Sequence, residues 1–380
     1  MIGTVAEHIL VYAKNSVYLK TVGVGKLDLT ATFTNPDNDP KGPWASKPWK
    51  VGSDQSGSRY MITTPTGQCI DGEWMGEEAT YKRFLEEGRI YFPKGGDGMP
   101  RKKYYQFERE DEGQCATNWW THEQFGHNQG ANDCMTSMFA KKNIFSNPKP
   151  IELIRATIKI GNVKNEDIVL DFFAGSASTA HAVMQLNAED GGNRKFIMVQ
   201  VPELTAEKSE AYKAGYKTIC EIGKERIRRA GAKIKEENPM GTMDLDVGFR
   251  VLKCDTSNMK DVYYTPDEYA SDMFDMLTDN IKEDRTPQDL LFQVMLDRGV
   301  LLSSKIEQAD IAGKKVFNVA DNFLIACFDD DVTEETITAI AKQKPHYFVM
   351  RDSSLANDSV ATNFDQIFAT YSPDTIRKVL

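Results

Sequence analysis

The stretch Ile168-Val-Leu-Asp-Phe-Phe-Ala-Gly-Ser-Ala-Ser-Thr-Ala-His181 constrains the fold more than any other part of the chain. Ile168 to Leu170 is short, apolar and β-branched, which predicts a strand covered on both faces. Ala174, Gly175, Ser176 and Ala177 follow as a turn with almost no side chain, so a ligand can approach the main chain closely. Ser176, Ser178 and Thr179 are placed to cap a helix that continues through Met184 and Leu186, which aims unpaired N–H groups into the turn. Such a turn cradles a nucleotide. Asp171, at the carboxyl end of the strand, selects among nucleotides: a carboxylate repels a pyrophosphate and pairs with the cationic amino group of a methionine moiety. The residues therefore favour S-adenosylmethionine over NAD or ATP.

A second strand is expected over Arg194-Lys-Phe-Ile-Met-Val-Gln-Val-Pro-Glu203, one helix and a Gly191-Gly192-Asn193 turn later. In a Rossmann-type βαβ unit an acid at that strand's end accepts hydrogen bonds from ribose hydroxyls, which nominates Glu203. Two other readings stand beside this one. Asp171 caps a loop and Glu203 is a solvated strand end, or the module serves some other nucleotide.

Asp171-Phe-Phe-Ala-Gly-Ser resembles the cofactor motif of the β-class amino-methyltransferases that act on adenine in DNA, and Phe145-Ser-Asn-Pro-Lys-Pro-Ile-Glu-Leu-Ile154 resembles the segment preceding it. Thr34-Asn-Pro-Asp-Asn-Asp-Pro-Lys-Gly-Pro-Trp44, Gly126-His-Asn-Gln129 and the acidic C-terminal region are similar to one subgroup, the modification subunits of Type III restriction-modification systems. The resemblance runs over the whole chain. It implies an α/β fold: a Rossmann-like S-adenosylmethionine-dependent methyltransferase core, incomplete and in circularly permuted order, with an inserted target-recognition domain and a C-terminal α/β domain. It implies cofactor contacts from Asp171, Phe172, Phe173, Ala174, Gly175, Ser176, Ser178, Thr179 and Glu203, with Ser146, Lys149 and Pro150 lining the methionine end. An exposed helix-start lysine is the equal alternative for Lys149. One departure stands in the turn, where Ala177-Ser178 replaces the more usual Gly-Thr; the added methyl is expected to weaken binding.

The net charge of −10 would argue against a DNA binder were it evenly spread. Residues 1–250 carry 33 basic and 33 acidic side chains, however, against 13 and 23 in residues 251–380. The neutral front can contact phosphates, while the acidic last third is expected to face protein or water. Cys69, Cys115, Cys134, Cys220, Cys254 and Cys327 contain no C-x-x-C pair, which predicts reduced, mostly buried thiols and no structural metal site. No apolar run approaches the roughly 18 residues of a membrane span and no signal-peptide pattern opens the chain, so a cytoplasmic protein is expected.

The resemblance implies four domains: residues 1–29 as a remnant of the first half of the core, 30–145 for target recognition, 146–255 as the cofactor half, and 256–380 for assembly. Glu7 to Lys14 reads as a strand. Residues 30–145 read as short strands and turns holding all five tryptophans, Trp44, Trp49, Trp74, Trp119 and Trp120. Arg101, Lys102, Lys103, Asn118, Trp119 and Trp120 interleave basic, amide and aromatic groups suited to phosphate, base edge and base face. Core packing for the tryptophans and a solvated turn for Arg101 to Lys103 are the bland alternatives. A helix is expected from Asn147 to Ile160, with Asn147 as cap, Ile151, Ile154 and Ile158 on one face and Gly161 ending it. Further expectations are a long charged helix over Glu207 to Lys235 whose Arg226-Ile-Arg-Arg229 cluster lies on a solvated face, with contact to a DNA backbone as the alternative, a strand over Phe249 to Lys253, helix over Tyr263 to Arg298, two strands within Lys315 to Phe328, a helix over Thr333 to Gln343 and a strand over His346 to Arg351.

Gripping a flipped adenine requires an Asp or Asn, a Pro and a closing aromatic within four residues. Asn35-Pro-Asp-Asn38 and Asn147-Pro-Lys-Pro150 lack the aromatic, and Asp37-Asn-Asp-Pro40 has the wrong order. In the family this motif precedes the strand matched by Glu7 to Lys14, so the chain is expected to be an N-terminally truncated relative. The resemblance thus implies an adenine-N6 methyltransferase subunit acting on double-stranded DNA and inactive alone. Its partners would be a restriction (helicase and endonuclease) subunit, a second modification subunit and a separately encoded N-terminal fragment. The alternative is a non-catalytic fragment that binds DNA or cofactor, or only assembles.

Overall fold

The computed structural model describes residues 7–30, 32–260 and 280–380. The chain divides into two compact units, Met1–Arg250 and Val251–Leu380. Both mix helices with sheets.

The first unit opens with α1 (Ser16–Val22), capped by Asn15 Oδ1, which accepts from the N–H groups of Val17 and Tyr18 at 3.0 and 2.9 Å. Next come β1 (Trp44–Pro48), β2 (Ser58–Thr63), β3 (Cys69–Trp74), α2 (Glu78–Glu86), β4 (Ile90–Tyr91) and β5 (Arg101–Tyr105). β1, β5 and β4 form one antiparallel sheet, and β2 pairs with β3 in a hairpin running from Ser58 opposite Trp74 to Thr63 opposite Cys69. Trp49, Ile62, Trp74, Tyr81, Ile90 and Phe92 bury one another beneath these strands. The Trp74 indole N–H donates to the Tyr60 carbonyl at 2.8 Å, so a wholly buried indole loses no hydrogen bond.

Four helices, α3 (Gln106–Glu112), α4 (His122–Phe125), α5 (Asn128–Phe139) and α6 (Ile151–Ile160), lead to β6 (Ile168–Asp171), α7 (Ser178–Asp190) and β7 (Lys195–Met198), followed by α8 (Glu210–Lys213) and α9 (Ile219–Glu237). β6 and β7 are parallel, with Ile168 opposite Lys195 and Asp171 opposite Met198, so β6-α7-β7 is the expected βαβ unit. Its helix is buried almost all round: Ala180, Val183, Met184 and Leu186 are at most 1% exposed, packed against α6 residues such as Ile158 and α9 residues such as Ile227. Thr218 and Glu221 close a capping box at the start of α9.

Several expectations need correction here. Only one face of β6 and β7 is covered. Val169 and Phe196 point into the helical layer, whereas Ile168, Leu170 and Ile197 are 55%, 58% and 49% exposed. The second strand stops at Met198, five residues short of Glu203. Glu7 to Lys14 forms no strand and is exposed throughout, and Phe249 to Lys253 forms none either; an alternating segment becomes a strand only where a ladder partner exists. Glu207 to Lys235 is broken into α8 and α9, with Gly215 at φ +94° between them. α6 begins at Ile151 behind Pro150, and Asn147 lies outside it in the left-handed region at φ +54°. Arg101 to Lys103 is strand, and of the six thiols only Cys327 is buried.

In the second unit, α10 (Pro287–Asp297), β8 (Ile306–Ile311), β9 (Lys314–Val319), β10 (Leu324–Cys327), α11 (Glu334–Ala341), β11 (Tyr347–Met350), α12 (Asp358–Tyr371) and β12 (Ile376–Val379) build one five-stranded sheet in the order β12-β11-β10-β9-β8. The strands and helix expected between Lys315 and Arg351 are present. Of the helix expected over Tyr263 to Arg298, Pro287–Asp297 is found, and residues 261–279 lie outside the described residues. Leu324 to Cys327 is buried on both sides, by Leu291 and Met295 of α10 on one face and by Ile337, Phe364 and Phe368 on the other. Its unbroken apolar run suits a central strand. Among the described residues no helix is long and apolar enough to cross a membrane, and no three His, Cys, Asp or Glu side chains group as metal ligands.

Candidate functional site

The turn between β6 and α7 is built by backbone and small side chains. Asp171, half-buried at the strand's end, accepts from the Phe173 N–H at 3.2 Å through Oδ1 and from the Thr179 hydroxyl at 2.6 Å through Oδ2. A carboxylate has about four acceptor positions, so capacity remains for an incoming cation. The Ala174 N–H donates to the Val199 carbonyl at 3.1 Å, and the Gly175 N–H to Gln200 Oε1 at 2.6 Å, which ties the turn to the loop after β7. Gly175 has φ +50°, and a Cβ there would meet the Phe145 ring at 3.2 Å. A side chain at this position would fill the cradle.

Ser176, Ser178 and Thr179 do not cap α7. The cap position is Ala177, which makes no side-chain bond and adopts φ +60°, ψ +38°. That left-handed conformation costs an alanine about 1 kcal/mol. Its methyl is buried with Met184 and Ile227 and faces Gly223 of α9. A Cβ on Gly223 would make ordinary contact with the Gly175 carbonyl oxygen at 3.4 Å and the Ala177 methyl at 3.5 Å, so α9 packs directly against the turn.

The serines serve Arg226, one turn further along α9. Arg226 is wholly buried, and its Nη1 donates to Ser176 Oγ and Ser178 Oγ, each at 2.7 Å. Its Nε and Nη2 have no partner, and burial pulls its pKa down to about 10. His181 of α7 is also buried with an unpartnered Nδ1; burial, then the positive charge of Arg226, push its pKa down to about 3. Arg226 therefore does not belong to a solvated face. The sequence carried a signal for this: Ile219, Ile222, Gly223, Arg226, Ile227, Ala230 and Ile234 recur at helical spacing, and Arg226 sits within that stripe. Arg228 and Arg229 lie off it, with Arg229 bonded to Glu225 and to the Met138 carbonyl.

A cavity of about 370 Å³ opens beside Arg226, lined among others by Glu123, His127, Gly130, Cys134 and Glu152. Pro150, buried at the start of α6, borders this region: a Cβ on Gly126 would meet its ring at 2.7 Å and Glu152 Oε2 at 2.9 Å. A depression of similar size, about 380 Å³, lies along Gly57, Trp74 and Gly76, away from the turn.

The other nominated residues are scattered. Phe172 and Phe173 stand edge to face, 62% and 80% exposed. Glu203 is exposed in the loop after β7, its carbonyl accepting from the Ile219 N–H at 3.0 Å. Ser146 is exposed, and Lys149 pairs with Glu7 at 2.6 Å. On β5, Arg101 is bonded to Ser46, Lys102 lies 4.0 Å from the Phe84 ring centroid, and Lys103 is buried between Asp37 and Asp39 at 2.5 Å from each. Lys103 thus ties β5 to the loop before β1 and offers no charge to a phosphate. Trp119 is 68% exposed, Asn118 is exposed, and Trp120 stacks on Phe125 at 4.4 Å. Trp44, Trp49 and Trp74 are core.

The sequence pattern of the DNA methylase family matches residues 2–230. The Type III restriction-modification enzyme StyLTI Mod subunit of Salmonella typhimurium is 38% identical over 248 residues, covering 64% of this chain and 37% of that protein. The EcoPI Mod subunit of Escherichia phage P1 is 28% identical over 279 residues, covering 68% and 40%. The Type II methyltransferase M.KpnI of Klebsiella pneumoniae is 35% identical over 108 residues, covering 28% and 25%. The chain spans about two fifths or less of the length of these curated relatives.

Proposed function

The chain belongs to the DNA methylases, and we propose on that premise that it carries the cofactor-binding and DNA-contacting portion of a Type III modification subunit that methylates adenine N6 in double-stranded DNA. The observation that carries this reading is the carboxylate-tipped strand entering a bare turn, where a Cβ on Gly175 would press on the Phe145 ring at 3.2 Å. Residues 146–255 would form the cofactor half of a permuted Rossmann-like core, residues 30–145 the target-recognition domain and residues 256–380 the assembly surface for a second modification subunit or the restriction subunit.

S-adenosylmethionine supplies an electrophilic methyl group when bound. Asp171 takes the amino group of its methionine moiety, held in place by Thr179 and the Phe173 N–H. The backbone of Ala174 and Gly175 leaves room for the nucleoside, Phe172 and Phe173 offer exposed aromatic faces, Glu203 accepts from the ribose, and Ser146, Lys149 and Pro150 bound the methionine end. Trp119 and Asn118 are the accessible DNA contacts, with Arg101 and Lys102 beside phosphates.

Within these 380 residues no Asp/Asn-Pro-Pro-aromatic tetrapeptide is present to hold the flipped base. The open apolar face of β6 and β7 favours its supply by further polypeptide that completes the sheet, in which case this chain alone binds and does not transfer. Calorimetry with S-adenosylmethionine tests the first step: binding is expected, and Asp171→Ala should weaken it by about 1.5–3 kcal/mol, the worth of a charge-assisted hydrogen bond. Binding of a dinucleotide in its place would refute the reading. Methyl transfer to duplex DNA with and without the complementing polypeptide tests the second.

A further inference from the structure

The turn between β6 and α7 has the bare backbone from which dinucleotide folds build a phosphate site, and such a site works through N–H groups left free for the anion. Here four of those groups are spent inside the protein. The Phe173 N–H donates to Asp171 Oδ1 at 3.2 Å, the Ala174 N–H to the Val199 carbonyl at 3.1 Å, the Gly175 N–H to Gln200 Oε1 at 2.6 Å and the Ala177 N–H to the Ala174 carbonyl at 2.7 Å. Ala174, Ala177 and the first residues of α7, Ser178 to Ala180, are buried. The acceptor for Phe173 is the Asp171 carboxylate, which itself repels a phosphate. Gly175 is different. It is only partly buried, it carries no Cβ to fend off a ligand, and its N–H is held by the tip of one neutral side chain from another segment.

Gln200 is fixed at both ends of its amide. Its Nε2 donates to the Val201 carbonyl at 3.1 Å, which turns the oxygen toward Gly175, and its main-chain carbonyl accepts from the Cys220 thiol at 3.5 Å. A carbonyl oxygen, the negative end of the amide dipole, therefore stands where a phosphate oxygen would have to sit to reach the Gly175 N–H. A phosphate that displaced it would leave the amide oxygen without its partner. A nucleoside without phosphate asks for no such donor and loses nothing by the arrangement.

We infer that Gln200 is a specificity-determining residue of the cofactor turn: by occupying the Gly175 N–H it denies the turn to phosphorylated nucleotides and leaves it to a nucleoside whose 5′ carbon carries a sulfonium in place of a phosphate. Asp171 repels a pyrophosphate by its charge, and Gln200 removes the attraction that would offset that repulsion. This rests on the proposed cofactor reading and adds to it a residue 25 positions from Gly175 in the sequence.

The experiment is binding calorimetry on the purified chain with S-adenosylmethionine, adenosine and adenosine diphosphate, repeated on Gln200→Ala and Gln200→Glu. The unaltered chain should bind S-adenosylmethionine and prefer adenosine to adenosine diphosphate. Gln200→Ala frees the Gly175 N–H, so its affinity for adenosine diphosphate relative to adenosine should rise about ten-fold or more, the worth of one hydrogen bond to a charged group. Gln200→Glu keeps an acceptor on that N–H and adds a negative charge, so the ratio should stay or fall. A merely loosened loop would change adenosine and adenosine diphosphate alike and leave the ratio where it was. If circular dichroism shows that Gln200→Ala does not fold, Gln200→Asn, whose amide is one methylene short of the bond, decides in its place. An unchanged ratio in that variant, or a preference of the unaltered chain for adenosine diphosphate over adenosine, overturns the role of Gln200 and leaves the cofactor reading standing so long as S-adenosylmethionine binds. Failure of the unaltered chain to bind S-adenosylmethionine overturns both.

Discussion

Lys103 offers the sharpest test of how β5 is held to the loop before β1. Its side chain is 6% exposed, and its ammonium lies 2.5 Å from Asp37 Oδ2 and from Asp39 Oδ2. Asp39 also accepts from the Tyr105 hydroxyl at 2.7 Å and the Lys41 N–H at 3.0 Å, and Asp37 from the Trp44 indole at 2.9 Å. Lys103→Met keeps the stem and deletes the charge. Each pair is worth about 4 kcal/mol before desolvation in a medium of intermediate dielectric, and the loss of one partner from a buried pair costs about 3–5 kcal/mol because the other charge stays behind. We expect a loss of at least about 3 kcal/mol, read by urea unfolding followed through tryptophan fluorescence.

The same cluster has a signature in acid. Burial raises the Asp39 carboxyl, but the bonds from Lys103, the Lys41 N–H and Tyr105 outweigh it and hold its pKa at about 2. Since this is below the unfolded value, the stabilisation is complete above about pH 4 and fades as pH falls toward 2; Lys103→Met should move that fading to higher pH. A destabilisation below about 1 kcal/mol, accompanied by a salt slope of DNA binding shallower by about 0.9, would refute the argument and make Lys103 a phosphate contact.

Two further expectations follow. Burial holds His181 neutral, with a pKa of about 3, so the unfolded chain takes up a proton that the folded one refuses: stability should decline below about pH 6.5 by up to about 1.4 kcal/mol per pH unit. His181→Asn should flatten that decline, and a slope identical in the variant would place the acid sensitivity elsewhere. Leu170→Glu on the open face of β6 should change the stability of the isolated chain by no more than about 0.5 kcal/mol while abolishing complementation by further polypeptide; a destabilisation of several times that value in the isolated chain would show the face to be buried already.

The sequence by itself determined the local grammar of this protein. Ile168 to Leu170, the bare turn and Ala180 to Leu186 specify strand, turn and buried helix from periodicity and residue size, and Leu324 to Cys327 announces a central strand in the same way. These patterns are read by neighbours within a few residues, so they survive without tertiary context. What the tertiary structure decided depends on partners far along the chain. The alternation in Glu7 to Lys14 and in Phe249 to Lys253 had no ladder to join, and Ile168 and Leu170 met no layer to cover them. Lys103 looked like one of three exposed cations until Asp37 and Asp39 closed on it, and Arg226 looked like one of three surface arginines until the packing of α9 against the turn buried it under Ser176 and Ser178. Charge is visible in a sequence; its burial is a property of packing between segments tens of residues apart, and that packing is what turns a solvated cation into one held inside the fold.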